Sequence, residues 1–313
     1  MSTAILLLAH GTPERADQAR EYMGYITGGR PVPESVIEEV AHRYGLIGRS
    51  PLTAITRDQA EALAKMLGMP VYFGMRNWHP FIKDVVPKMK HDGVTRVIAM
   101  CLAPQNSRTS VGLYKKALND ALENQPLEVT FIDSWSNEPQ LAQAFAEQLN
   151  VALEAAIKAN ATDVPVLFTA HSVPCRTIQS QLVQTQAGQT PDNASGDPYS
   201  VQCKHTAEMV AALIPRLKNK EWFFAFQSQG MSGGPWIGPT VEDTLTGIAA
   251  LGHKAVVLQP IGFVCDHVEV LYDIDIAFKD FAAEKGMQLA RAVSLNDSPA
   301  FIQALATVVK QNL

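Results

Sequence analysis

The sequence predicts an α/β protein of two similar halves, each a parallel sheet flanked by helices, with a cleft between them. Three observations lead there. Short apolar runs alternate with amphipathic stretches along all 313 residues, the pattern of parallel sheets covered on both faces. A phrase recurs: Ala9-His10-Gly11-Thr12-Pro13 and Ala170-His171-Ser172-Val173-Pro174 each follow an apolar run, 161 positions apart. A second match has nearly the same offset, 159: Gly93-Val94-Thr95-Arg96-Val97-Ile98-Ala99-Met100 with Gly252-His253-Lys254-Ala255-Val256-Val257-Leu258-Gln259. Two matches at nearly one offset mark the duplication of a unit of about 150 residues, a common domain size.

The elements follow in order. Residues 4–9 form the first strand; no basic stretch precedes this apolar run, which reads as a strand and not a signal peptide. Gly28-Gly29-Arg30-Pro31-Val32-Pro33 breaks any helix. Helix 55–67, strand 70–74, helix 78–91, strand 95–102, helix 111–123 and strand 128–133 complete the first half. A helix over 138–159 carries the boundary, which divides the chain into 1–150 and 151–313. The second half holds strand 165–170, a segment over 184–200 that reads as a mobile surface insertion, helix 204–218, and strands 222–227 and 254–260. The last helix, 298–312, is free to pack back on the first half.

Bulk properties exclude several classes. A net charge of −5 gives no electrostatic case for nucleic acid, and no apolar run reaches the roughly 18 residues of a membrane span. Cys101, Cys175, Cys203 and Cys265 are scattered without a CxxC pair. They read as free thiols in a reducing cytoplasm, not as a disulfide framework or zinc knuckle.

Open α/β sheets place ligands at the carboxyl ends of their strands, where His10 and His171 stand. Read alone, His171 also fits a core histidine satisfied by a carbonyl; the echo at His10 favours a site. The second candidate is the stretch from Gly262 to Asp275. Asp266 is placed to cap a helix on which Glu269 and Asp273, four apart, share a face. Capping by the helix dipole would account for both carboxylates. Val268, Val270 and Leu271 mark that helix as partly buried, however, so Glu269 needs a partner, a proton or a metal. The ring of His267 is expected to point away from Glu269's face. Imidazole nitrogen with carboxylate oxygen suits a divalent metal such as iron, and also proton transfer near neutrality. HExxH, GxGxxG and phosphate-loop motifs are absent, which speaks against zincin and nucleotide-cofactor readings, and GxSxG is absent around Ser172, the hydroxyl beside His171 that would invite a hydrolase reading. Trp236, in a glycine-rich tract, fits either a flat wall for a ligand or a core position.

Thr169-Ala170-His171-Ser172-Val173-Pro174, Gly196-Asp197-Pro198-Tyr199, Trp236-Ile237-Gly238-Pro239 and Gly262…Asp266-His267-Val268-Glu269-Val270-Leu271-Tyr272-Asp273 resemble, in order, the motifs of the ferrochelatase family. The first half is most similar to the short coproporphyrin III ferrochelatases of Gram-positive bacteria, on Gly28 to Pro33, Arg43-Tyr44 and Ser50-Pro51-Leu52. The resemblance implies two Rossmann-like, chelatase-type domains around a porphyrin cleft. It also implies insertion of ferrous iron into a porphyrin: coproporphyrin III, giving coproheme, ahead of protoporphyrin IX. It assigns His171 and Glu269 to catalysis and the iron site, with Asp273 as an outer carboxylate. His10, Arg30, Arg43, Tyr44, Ser50, Tyr114 and Trp236 are assigned to the porphyrin. Iron is a substrate; no organic cofactor and no iron–sulfur cluster is expected, and the expected state is a cytoplasmic monomer that hands its product to the next haem-pathway enzyme. The chain departs from the short forms at several positions. His10 stands where they usually carry a tyrosine and is a candidate axial ligand. Thr27 and Gly28 replace basic residues, Asn77 a histidine and Ala277 an acid. The 176–195 insertion is longer. The competing readings are a sirohydrochlorin cobaltochelatase, against which the Glu269 to Asp273 helix speaks, and a non-catalytic haem or porphyrin carrier.

Overall fold

A computed structural model of the chain describes residues 2–123, 125, 127–160, 162–179, 196–218, 222–230 and 234–313. The first half runs β1 (Ser2–Ala9), α1 (Ala19–Thr27), α2 (Glu34–Ile47), α3 (Leu52–Leu67), β2 (Val71–Met75), α4 (Ile82–His91), β3 (Val94–Cys101), α5 (Val111–Leu122), β4 (Glu128–Ile132) and α6 (Pro139–Asn160). The second half runs β5 (Val166–His171), α7 (Cys175–Gln179), α8 (Tyr199–Ala212), β6 (Phe223–Gln227), α9 (Val241–Ala250), β7 (Ala255–Pro260) and α10 (Val268–Leu271). A π-helical segment (Asp273–Phe278), α11 (Lys279–Glu284), β8 (Gln288–Arg291) and α12 (Pro299–Lys310) follow.

Both sheets are parallel and four-stranded, with orders β2-β1-β3-β4 and β6-β5-β7-β8. The two orders are the same when the second half is renumbered from its first strand. The duplication read from the His phrases is therefore a duplication of topology. β1 and β5 are the inner strands at which the winding direction reverses, and such reversal points open the crevices that bind ligands.

The strands are apolar because helices cover both faces. Ala4 to Leu8 are fully buried. Ile5 and Leu7 point into a core shared with the second half, while Ala4, Leu6 and Leu8 point toward α4 and α5. The shared core takes Val166, Phe168 and Val257 from the second sheet, and Leu141, Phe145, Leu149 and Leu153 from α6 at a four-residue helical spacing. α12 packs on α6 and α3, so the closing helix lies on the first half. Thr307 Oγ1 donates to Gln140 Oε1 (2.7 Å), and Arg96 holds the Leu313 carbonyl (2.9 Å).

Several expectations change. α1, α2, α9 and β8 were not foreseen. The helix expected over 204–218 ends at Ala212, because Pro215 opens a separate turn. Most of the expected surface insertion lies outside the described residues. Its end is not loose: Asp197 is buried and accepts from Ser107 Oγ (3.0 Å), the Arg108 amide (3.0 Å) and the Tyr199 amide (3.1 Å). The four cysteines are free thiols. Among the described residues, no helix is long and apolar enough to cross a membrane.

Candidate active site

His10 follows β1 directly, and its position is set by the next residue. Gly11 has φ +79°, and a Cβ there would lie 2.7 Å from both Met75 Cβ and the Trp78 nitrogen. Only glycine lets the segment after β2 cross so closely. That segment is strapped to His10: the Arg76 amide donates to Ala9 O (3.1 Å) and the Asn77 amide to His10 O (2.9 Å). The ring Nε2 of His10 sits 3.1 Å from the Tyr22 hydroxyl and 3.2 Å from Asn77 Nδ2.

His171 occupies the matching place at the end of β5. Its Nδ1 is held by the Ser172 carbonyl. The turn after β7 approaches the same strand end, where a Cβ on Gly262 would stand 3.0 Å from Ala170 Cα. This turn carries the chain to Glu269, whose Oε1 lies 3.6 Å from His171 Nε2. His267 reaches the same carboxylate: its Nδ1 contacts Cys265 O (3.0 Å) and its Nε2 lies 3.6 Å from Glu269 Oε2. In both rings the carbonyl fixes Nδ1 as the donor. With Nδ1 so used, the Nε2 of each ring is the atom that faces Glu269, and it donates to the carboxylate when it carries a proton.

The two walls differ electrostatically. Burial, with Arg76 nearby, lowers the His10 pKa to about 3, against the opposing pull of Glu269. The His10 side chain is exposed toward the cavity, and it is neutral near pH 7. For His171, burial disfavours the charge, but Glu269's charge and hydrogen bond outweigh it and raise the pKa. Burial likewise works against the Glu269 carboxylate, yet His171 and His267 hold its pKa well below the ordinary range. One wall thus presents a neutral imidazole and the other an imidazole–carboxylate pair that shares protons.

A cavity of about 370 Å³ separates the walls, within the usual range for small-molecule sites of roughly 300–1,000 Å³. His10, Tyr22, Arg76 and Tyr114 line it from the first half, and His171, Tyr199, Trp236, Phe263, His267 and Glu269 from the second. The rings of His171 and Trp236 are 6.4 Å apart, and those of His171 and Phe263 6.2 Å. Gln105, from the first half, donates across the halves to Thr206 Oγ1 (3.2 Å) and Ile261 O (3.1 Å), which fixes the spacing of the walls.

Of the residues singled out from the sequence, the structure brings together His10, Tyr114, His171, Trp236 and Glu269 around one cavity. Others stand off it. Arg30 is exposed and folds back on the Thr27 carbonyl (2.9 Å). Arg43 pairs with Glu39 (2.9 Å) and approaches Asp273 (3.6 Å) while lying over the Tyr272 ring. Tyr44 is buried in the core, and Ser50 touches the cavity only through Thr12, 3.1 Å away. Asp273 is held by the Ser228 hydroxyl.

Three local expectations fail. Asp266 does not cap α10; Ser294 (2.7 Å), Asn296 (3.0 Å) and Arg291 (3.2 Å) occupy its carboxylate, and His267 is the capping position. Glu269 and Asp273 do not share one regular helix, since the backbone passes from α10 into the π-helical segment between them. His267 does not point away. The helical wheel that predicted so does not apply to it, because His267 is in extended conformation ahead of the helix (φ −161°, ψ −176°). Tyr22, Arg76 and His267 were not assigned to the site. The rule that found the histidines, a polar residue just past a strand's carboxyl end, also finds Arg76 after β2.

A family model described as "Ferrochelatase" matches residues 2–313. The ferrochelatase of Acidobacterium capsulatum is 54% identical over 310 residues, covering 99% of this chain and 94% of that protein. The coproporphyrin III ferrochelatase of Geobacillus thermodenitrificans is 34% identical over 322 residues, covering 100% of this chain and 96% of that protein. Among solved structures, SirB from Bacillus subtilis with Fe3+ superposes with a TM-score of 0.60 at 10% identity, covering 99% of this chain and 95% of that one; this likeness speaks to the fold.

Proposed function

The chain belongs to the ferrochelatase family, and on that premise we propose that it inserts ferrous iron into coproporphyrin III in preference to protoporphyrin IX. It is a porphyrin metal chelatase, a lyase of haem biosynthesis. The observation that carries the mechanistic reading is the 3.6 Å approach of His171 Nε2 to Glu269 Oε1, on the wall opposite His10.

Metalation exchanges two pyrrole protons for one ferrous ion, so a site must accept protons and deliver the metal. The His171–Glu269 pair supplies both. At rest the proton sits on His171 Nε2, facing the ionised Glu269 carboxylate at 3.6 Å. Iron entering at Glu269 displaces that proton to solvent, which leaves His171 Nε2 with a lone pair; it takes the two pyrrole protons in turn, passing the first to solvent before accepting the second. His267, on the other oxygen, holds Glu269 ionised through the exchange. Asp273, beyond Glu269 along the chain, serves as the outer carboxylate from which iron moves inward. Trp236 and Phe263 give the ring apolar faces to rest on. Neutral His10 offers its nitrogen to the metal from the opposite face once iron is in the ring.

The coproporphyrin preference draws on the coproporphyrin III relatives, which match end to end. The test is anaerobic turnover of the wild-type chain with ferrous iron and each porphyrin. The reading expects kcat/KM for coproporphyrin III at least about tenfold above that for protoporphyrin IX, the effect of roughly one charge-assisted hydrogen bond. Equal or reversed values overturn the preference, and no metalation of either overturns the chelatase reading.

A further inference from the structure

Arg76 is the sole lysine or arginine among the described residues lining the cavity, and Glu269 is the sole carboxylate. Their situations differ. Glu269 has a histidine on each oxygen. Among the described residues Arg76 makes one side-chain hydrogen bond, from Nε to Asn77 Oδ1 at 3.3 Å, and its guanidinium lies 5.5 Å from the Tyr114 ring. Its Nη1 is shielded from solvent and has no hydrogen-bond partner. No carboxylate among the described residues pairs with it. A cation left without a counter-charge in a largely apolar cavity is an unstable arrangement unless a ligand completes it. The planar fork of arginine matches a carboxylate in two-point contact.

The chemistry of the substrate says where such a carboxylate comes from. Protoporphyrin carries its two propionates on neighbouring pyrroles, so it can enter a cleft with both directed to water and its vinyl-bearing edge inward. Coproporphyrin carries one propionate on every pyrrole. Whichever edge leads, at least one carboxylate goes in with it and loses its water. We propose that Arg76 receives that inward carboxylate, and that this contact makes the cavity select a porphyrin with acidic groups on all four rings. The proposal rests on the porphyrin-chelatase reading and deepens it. Arg76 is a binding and specificity residue on the first wall, separate from the proton and metal exchange at His171 and Glu269.

The test compares Arg76→Met and Arg76→Lys with wild type. Dissociation constants for coproporphyrin III and protoporphyrin IX are measured by titration of the porphyrin absorption band without iron, and KM and kcat are measured with iron. The expected result is specific to the four-carboxylate ring. Arg76→Met raises Kd and KM for coproporphyrin about 10- to 100-fold, the loss that accompanies removal of a charged hydrogen-bond donor. It moves kcat by less than about threefold and leaves protoporphyrin Kd unchanged or tighter, while Arg76→Lys recovers part of the coproporphyrin affinity. An equal loss with both porphyrins, or no loss with coproporphyrin, overturns the assignment. Because the titrations need no turnover, they decide the role of Arg76 even if wild type metalates neither porphyrin, the result that would fail the chelatase reading itself.

Discussion

Replacing Gly11 by alanine should loosen the first wall of the cavity from one added methyl group. The new Cβ would sit 2.7 Å from Met75 Cβ and from the Trp78 nitrogen, with backbone at φ +79°. An L-residue in the left-handed region costs about 1–2 kcal/mol, and overpacking at a site that cannot yield adds about 1–3 kcal/mol. The expected destabilisation is therefore about 2–5 kcal/mol. The methyl would push the 75–78 segment off β1, straining the Arg76 amide bond to Ala9 O (3.1 Å) and the Asn77 amide bond to His10 O (2.9 Å). His10, Asn77 and Arg76 then move together. Urea unfolding gives the first quantity, and titration with coproporphyrin gives the second as a weakened Kd. Gly24→Ala is the control: it lies inside α1 with nothing within 4 Å of the new Cβ. It should stabilise by up to about 1 kcal/mol and leave Kd alone. If Gly11→Ala stays within about 0.5 kcal/mol of wild type and binds porphyrin normally, the strap does not position the wall.

Two further outcomes are expected. Burial raises the Asp273 carboxyl to about 6, with the Ser228 hydrogen bond opposing, Glu269 adding to the rise, and Arg43 and His267 opposing it. Its unfolded value is near 3.8, so the penalty is absent below about pH 4, grows as pH rises toward 6, and is constant above, at about 3 kcal/mol. The stability of Asp273→Asn relative to wild type, from urea melts, should rise by about that amount between pH 4 and 7, whereas a flat difference refutes the burial argument. For His10, the visible spectrum of the iron–porphyrin complex should change in His10→Ala, and an identical spectrum removes its role as a ligand.

How much was legible in the sequence follows from burial. Strands β1, β3, β5 and β7 are continuous apolar runs because helices cover both sheet faces, and continuous runs are easy to see. β8 is four residues long with only Leu289 buried, so its signal is short and mixed. α2 buries only Tyr44, with Val36, Ile37 and Val40 half-covered, which leaves a thin apolar stripe beside a conspicuous proline break. The site divides in the same way. His10 and His171 announce themselves by repetition and strand-end position, and Glu269 by a carboxylate set among apolar neighbours. The π-helical segment after α10 and the extended backbone at His267 are set by tertiary packing, and periodicity assumed a regular helix through both. The family resemblance placed Arg30 and Arg43 near the propionates, and an arginine fork is chemically apt for them. Their engagement with Thr27, Glu39 and Asp273 comes from side-chain geometry that spacing does not encode.

The central claim, that the His171–Glu269 pair performs the exchange of protons for iron, is tested most directly by Glu269→Gln under anaerobic conditions, with metalation rate and porphyrin Kd measured on the same preparation. Glutamine keeps the shape and removes the charge that raises the His171 pKa. The account predicts that metalation falls at least about 100-fold, the scale of a lost acid–base group, with Kd within about threefold of wild type. Metalation near the wild-type rate would contradict it.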